Sequence, residues 1–178
     1  MLTQTLERDE AALLVEQLFD YHSDAIFTYL LRLTRSREVA EELAQETFLR
    51  AFEARARLEG VANQRAWLYR IATNLAFNHF RRQRRFAWLP WGEADDAHIA
   101  AEDVAERAGQ ADAIERALDA LSLDYRAALL LCCYHDLKMT EAASALAISE
   151  GALKMRLRRA REAFRRAYQP DEQGGGLP

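Results

Sequence analysis

Apolar residues recur every three or four positions through the first half of the chain: Leu14, Leu18, Tyr21 and Ala25, then Ile26, Leu30 and Leu33, then Val39, Leu43, Phe48 and Phe52. That period marks helices with one buried face, and it predicts helices at about 9–20, 23–35, 37–55 and 63–85. Gly60 and Asn63 in "RLEGVANQ" provide a turn before the pattern resumes at Trp67. In "FAWLPWGEADDAHIAAED", Pro90 and Gly92 interrupt any helix, and the acids that follow leave little to bury, which predicts a linker. Helical spacing returns at Val104; Ile114, Leu118 and Leu121 mark one helix, and Tyr125 to Tyr134 a second. Thr140 and Ser149 each stand where a side-chain oxygen can cap a helix start, with Glu141 and Glu150 in the first turns to suit the dipole. A short helix, a tight turn at "AIS" and a longer basic helix make a helix-turn-helix.

Composition agrees with an all-α chain. Only seven Gly and three Pro occur, and Gly174, Gly175, Gly176 and Pro178 fall in the terminal "DEQGGGLP". The expected organisation is two small helical domains at 9–86 and 111–169, an acidic linker at 87–110 and a disordered tail at 170–178. The N-terminus has no basic leader followed by an apolar run, so a cytoplasmic protein is expected.

The formal net charge of −4 argues against nucleic acid until the charges are placed along the chain. Residues 7–53 hold eleven acids against five arginines, whereas 63–85 hold six arginines and no acid. Residues 86–112 return to seven acids and one arginine, and 151–168 flip again to seven cations opposed only by Glu162. Two basic stretches inside an acidic chain suit local contact with an anionic partner.

The second stretch is amphipathic. At 100° per residue, Leu153, Leu157, Ala160, Phe164 and Ala167 form a narrow apolar stripe, with Lys154, Arg158, Arg161 and Arg165 on one flank and Arg159 and Arg166 on the other. Cations at a helix C-terminus can simply complement its dipole. Lys154 and Arg156 lie at the wrong end for that, and a helix-turn-helix presents the first turns of its second helix to the major groove. Ser149, Glu150, Lys154, Arg156, Arg158 and Arg159 are therefore candidate DNA contacts, while Arg165 and Arg166 fit the solvated end. A repressor on a palindromic operator would fit this motif equally well.

The first stretch, "NQRAWLYRIATNLAFNHFRRQRR", has Leu68, Ile71, Ala72 and Leu75 as a core face, and Arg70, Asn74, Asn78 and Arg81 aligned beside Trp67. Arginines and amides next to an indole suit phosphates and unstacked bases. Asn63, Trp67, Arg70, Asn74, Asn78, Arg81 and Arg82 are the candidates here. Core packing explains Trp67, Tyr69, Phe77 or Phe80 taken singly; the stripe carries the argument.

Catalytic chemistry has little support. There is no Gly-rich phosphate loop and no paired-histidine metal motif, so no catalytic residue, cofactor, metal or small-molecule substrate is expected. Cys132 and Cys133 are adjacent, which strains a mutual disulfide, and with His135 they sit on a predicted core helix, where buried packing is expected.

Four stretches in order, "EVAEELAQETFLRAF" (38–52), "AWLYRIATNLAFNHFRRQRR" (66–85), "ALDALSLDYRAALLL" (117–131) and "MTEAASALAISEGALKMRLRRARE" (139–162), resemble the extracytoplasmic-function sigma factors, members of the sigma-70 family of bacterial RNA polymerase. The resemblance implies a region 2 bundle followed by a region 4 helix-turn-helix. It implies that the acidic helix docks on the coiled coil of the polymerase's largest subunit, with Glu41, Glu42, Gln45, Glu46 and Leu49 as core-binding candidates. It further implies that the 66–85 helix and the loop at 58–64 open and capture the −10 promoter element, that the helix from Gly151 reads −35 DNA, and that the linker runs through polymerase channels. An anti-sigma factor is the expected inhibitor. Departures occur at Leu121 and Ser122, where Leu-Pro is frequent, at Lys138 for Gly, at Asn78 for Asp, and at Ala152 and Met155 for Thr or Val and Ser. The last two bear on promoter sequence preference. The rival function is a stand-alone helix-turn-helix regulator on an operator, but a sensor half has no need of an arginine-asparagine stripe beside an acidic docking helix.

Overall fold

A computed structural model describes residues 2–87 and 110–168, and every regular element among them is helical. The order is α1 (Leu2–Thr34), α2 (Arg37–Glu53), a 3-10 turn (Arg55–Gly60), α3 (Gln64–Ala87), α4 (Gln110–Asp119), α5 (Leu123–Leu129) running into a π-helical turn (Leu130–Tyr134), α6 (Met139–Ala145) and α7 (Glu150–Ala167). The acidic linker and the C-terminal tail expected from the sequence lie outside the described residues, although Ala87 and Gln110 at the expected linker's ends are helical.

Two helices expected at the N-terminus are one. Tyr21 to Asp24 contain neither Gly nor Pro, so the backbone hydrogen bonds continue through them and α1 runs to Thr34. It ends where Arg35 turns left-handed at φ 62° and Ser36 caps α2, its hydroxyl accepting from the Val39 amide at 3.3 Å. α1, α2 and α3 pack around Ile26, Tyr29, Leu30, Leu33, Leu43 and Leu68. Thr73 donates to the Tyr69 carbonyl at 2.7 Å, so buried Tyr29 donates to the Thr73 oxygen at 2.8 Å and neither hydroxyl is stranded in this core.

In the second half, Leu153, Leu157 and Ala160 of α7 are buried, and α7 packs on α4, α5 and α6, as the stripe on the sequence requires. Each buried leucine stabilises the docking by roughly 1.5–3 kcal/mol. The start of α6 differs from the expectation of a Thr140 cap: Lys138 is the first residue outside the helix, and Glu141 reaches back to accept from the Lys138 amide at 2.8 Å. Lys138 has no side-chain acceptor of its own, so the third-position carboxylate does the capping.

The π-turn also changes one expectation. Its wider winding, with the His135 amide bonded to the Leu130 carbonyl at 2.9 Å, advances the register by about one residue. His135 is buried, but Cys132 is only half-buried and Cys133 is exposed, so the pair is not a core pair.

The turn between α6 and α7 is a Schellman motif. The Ile148 amide bonds to the Ala143 carbonyl at 3.0 Å and the Ala147 amide to the Ser144 carbonyl at 3.2 Å. Ala147 occupies the left-handed position at φ 54°, exposed to solvent. A Cβ there costs about 1–2 kcal/mol, partly offset in the alanine protein by the entropy a glycine would lose on folding. Ala147→Gly is therefore expected to raise stability by about 0.5–1 kcal/mol in urea denaturation.

Candidate nucleic-acid interfaces

α7 begins at Ser149, whose hydroxyl accepts from the Ala152 amide at 3.1 Å. Its side chain is thus already engaged as a cap. Lys154 and Arg158 on one flank of the buried stripe and Arg159 on the other are exposed. Arg158 makes one contact within the helix, to Glu162 at 3.2 Å, an exposed pair of little energetic weight. Arg156 is different: it is held to Asp124 of α5 at 2.8 Å with its side chain 25% exposed. That ion pair ties α7 to its own domain. Two exposed residues lie outside the DNA set drawn from the sequence: Met155, at 48% exposure, and Arg161, on the flank of the apolar stripe and 3.9 Å from the Cys133 sulfur. Met155 lies at the centre of the outward face at 100° per residue, a signal available from the helical wheel alone.

α3 presents its arginines and amides as the stripe predicts. Arg70, Asn74, Arg81 and Arg82 are exposed, and half-buried Asn78 accepts a hydrogen bond from Arg81. Trp67 is half-buried and packed on the core, to which α3 contributes the buried Leu68, Tyr69, Ala72, Leu75 and Ala76; Ile71 is only partly covered. Asn63 caps α3, its side-chain oxygen accepting from the Ala66 amide at 2.8 Å. Its amide nitrogen donates to Glu141 of α6 at 2.6 Å. Beside it Arg65 donates to the His135 carbonyl, and the Tyr69 hydroxyl meets His135 Nδ1 at 3.0 Å. Arg65 and Tyr69 were not among the sequence candidates for this end of α3.

On α2, Glu41, Glu42, Gln45 and Leu49 are exposed and Glu46 is half-exposed, while Ala40, Leu43, Thr47, Phe48 and Ala51 are buried. Glu41 pairs with Arg37 at 2.9 Å and Glu46 with Arg50 at 2.7 Å, both one helical turn apart on the surface. Leu49, 53% exposed, and Phe52, 43% exposed, stand beside these acids. Phe52 also lines a groove of about 650 Å³ with Leu13, Val15, Phe19 and Phe48.

The titrations cluster where the two halves meet. Burial, reinforced by the Arg65 and Arg32 guanidinium groups, pushes His135 down to about 4. His135 Nε2 finds no hydrogen-bond partner among the described residues, which suits a neutral ring. Burial likewise raises the Cys132 thiol to about 11. Glu141 is lowered chiefly by the Lys138 amide, with further help from Asn63. Among the described residues no group of three His, Cys, Asp or Glu side chains could hold a metal ion, and no helix is long and apolar enough to cross a membrane.

Comparison with known proteins follows the same division. Residues 18–86 match the family model for Sigma-70 region 2 and residues 111–164 that for Sigma-70, region 4. The ECF RNA polymerase sigma factor SigL of Mycobacterium tuberculosis is 32% identical over 162 residues, covering 89% of this chain and 90% of that protein. SigE of Mycolicibacterium smegmatis is 31% identical over 155 residues, 84% of this chain, and the match spans 60% of that longer protein. Among solved structures, sigma factor RpoE in complex with the anti-sigma factor NepR from Bartonella quintana superposes with a TM-score of 0.73 at 24% identity, covering 88% of this chain and 98% of that one. CnrH, in complex with the cytosolic domain of CnrY, gives 0.65 at 22% identity, covering 90% and 94%. With both regions matched in order, and with SigL similar along nearly its whole length, the chain belongs to the extracytoplasmic-function sigma factors, whose part in transcription initiation is promoter recognition.

Proposed function

We propose that this chain binds RNA polymerase core in the cytoplasm and directs it to promoters, acting as a specificity subunit with no catalytic step of its own. The observation that carries this reading is the division of labour over three faces. An acidic and apolar face on α2 lies apart from two acid-poor cationic faces, one on α3 rich in amides and one on α7 rich in arginine.

In this reading Glu41, Glu42, Gln45, Glu46 and Leu49 seat on the coiled coil of the polymerase's largest subunit. Asn63, Trp67, Arg70, Asn74, Asn78, Arg81 and Arg82 hold the melted −10 strand. Unstacking a base costs a few kcal/mol, which stacking on an aromatic ring and amide contacts can return. Lys154, Arg158 and Arg159 read −35 DNA as duplex, with Glu150 beside them. Ser149 fixes the start of the reading helix, and Arg156 fixes its angle through Asp124. The working domains are 9–86 and 111–169, with 87–110 as the linker.

An anti-sigma factor is the proposed inhibitor, since RpoE was solved in complex with the anti-sigma factor NepR. The test is run-off transcription by polymerase core from a library randomised over the −35 and −10 elements. Enrichment of a two-element promoter only when the chain is present is the expected result. Footprinting of a palindrome by the chain alone, with no initiation, would show a stand-alone regulator instead.

A further inference from the structure

Arg161 and Arg165 are left over from the promoter-reading set. They stand one helical turn apart on the same flank of α7, and both line a cleft of about 320 Å³ between α1, α4, α5 with its π-turn, and α7. Buried Leu118, Leu129 and Leu130 line it together with half-buried Phe164 and the 40% exposed Ile114. Among the described residues no acidic side chain lines this cleft. A third arginine there, Arg32, is already engaged, paired with Glu115 at 3.4 Å and lying over the Tyr134 ring at 3.9 Å. Arg161 meets the Cys133 sulfur at 3.9 Å, and neither it nor Arg165 forms an ion pair among the described residues.

Size and chemistry together select the occupant. A cleft of this volume is at the lower end of small-molecule sites. One turn of a partner helix, about 10 Å across and 5.4 Å long, takes about 420 Å³, more than the cleft holds. Apolar carbon facing water favours a hydrocarbon body. Two guanidinium groups without an anion favour a carboxylate head, which arginine holds through paired, charge-assisted hydrogen bonds.

We propose that this cleft is a binding site for a medium-chain fatty acid, its chain against Ile114, Leu118, Leu130 and Phe164 and its carboxylate held by Arg161 and Arg165. The site shares no residue with the promoter-reading or polymerase-docking sets, so it stands or falls apart from them. Cys133 is a native reporter, because its exposed thiol belongs to the same lining.

The test is isothermal titration calorimetry of the full chain with octanoate, decanoate and dodecanoate, each below its micelle concentration. Affinity is expected to rise by up to about fourfold per added methylene until the chain outgrows the cleft. Decanol, the same body without the charge, should bind about 10-fold more weakly than decanoate. Arg161→Gln combined with Arg165→Gln should lose about as much for decanoate and leave decanol unchanged. Ile114→Glu, which sets a carboxylate in the lining, should abolish measurable binding. Saturating decanoate should also slow alkylation of Cys133 by iodoacetamide several-fold. Half-buried Cys132, whose thiol burial raises to about 11, is the slow reference.

Absence of both heat and protection overturns the proposal. Equal affinity for decanol and decanoate, or for wild type and the double arginine variant, shows adsorption to apolar surface and overturns it too. Protection of Cys133 by polymerase core but not by decanoate assigns the cleft to a protein partner instead. If Ile114→Glu loses its helical circular dichroism, the arginine variant and the decanol comparison decide, because both arginines are exposed.

Discussion

Replacing Arg158 and Arg159 together with alanine is expected to weaken −35 engagement by the polymerase-bound chain by about 100-fold. Each well-placed arginine contact to a guanine edge is worth roughly 1–3 kcal/mol of discrimination, and two together reach the range of a hundredfold loss. The reason for choosing this pair is geometric. Both side chains are exposed, one on each flank of the buried Leu153, Leu157 and Ala160 stripe, so their removal leaves the packing of α7 untouched and the melting temperature within about one degree. The Arg158 pair with Glu162 is exposed and within one helix, so breaking it costs little.

Arg156→Ala makes the contrast, because its ion pair with Asp124 joins α7 to α5. Losing it should lower stability by up to about 1 kcal/mol while leaving sequence preference at each promoter position unchanged. The measurement is fluorescence anisotropy of a −35 duplex over a salt series. If the double variant binds like wild type and Arg156→Ala alone relaxes base preference, the reading face of α7 has been assigned to the wrong side.

That contrast shows where sequence was informative. The Leu153, Leu157 and Ala160 stripe fixes the orientation of α7 from its period alone, and the exposed and buried sides of α2 follow from the same rule. Ser149 is legible as a cap because a hydroxyl before a run of helix formers has one economical use. Arg156 is not legible, because its partner depends on how α5 crosses α7, and helical wheels carry no tertiary crossing.

The same limit hides Asn63–Glu141 and Tyr69–His135, pairs separated by 78 and 66 residues. The continuous α1 and the shifted start of α6 reflect a weaker kind of error. Polar residues such as Ser23 and Thr140 look like boundaries, yet with no Gly or Pro nearby they sit equally well inside a helix. The π-turn leaves no clear mark in "LLCCY", and it is what brings Cys133 to the surface.

Lowering the pH from about 7.5 to 5 is expected to destabilise the folded chain, with His135 as the main contributor. The ring sits among groups that make its protonation costly. Burial is the largest cause, the Arg65 guanidinium of α3 and the Arg32 guanidinium of α1 add to it, and Asp136 opposes them; the Tyr29, Tyr69 and Tyr134 rings pack around the imidazole. With the folded pKa at about 4 against 6.5 in the unfolded chain, the unfolded form binds the proton first as pH falls. Stability is therefore fully present above about 6.5, drops as pH falls between 6.5 and 4, and stops changing through this group below 4.

The full shift is worth roughly 3 kcal/mol, and about 1–2 kcal/mol is expected by pH 5, where the proton is only partly taken up and solvent screens the residue. Two other groups push the same way: His22 is lowered by burial and by Arg65, and Glu141, lowered by the Lys138 amide, loses its contribution only at more acid pH. His135→Gln separates them, because an amide can still meet the Tyr69 hydroxyl but takes up no proton. Urea denaturation at pH 7.5, 6.5, 5.5 and 5 should show a slope in the wild type that is largely lost in the variant. An undiminished slope in His135→Gln would move the acid sensitivity away from the junction of the two halves. A slope lost together with closer agreement between the acid and neutral stabilities would place it at the ring that α1, α3 and the π-turn enclose.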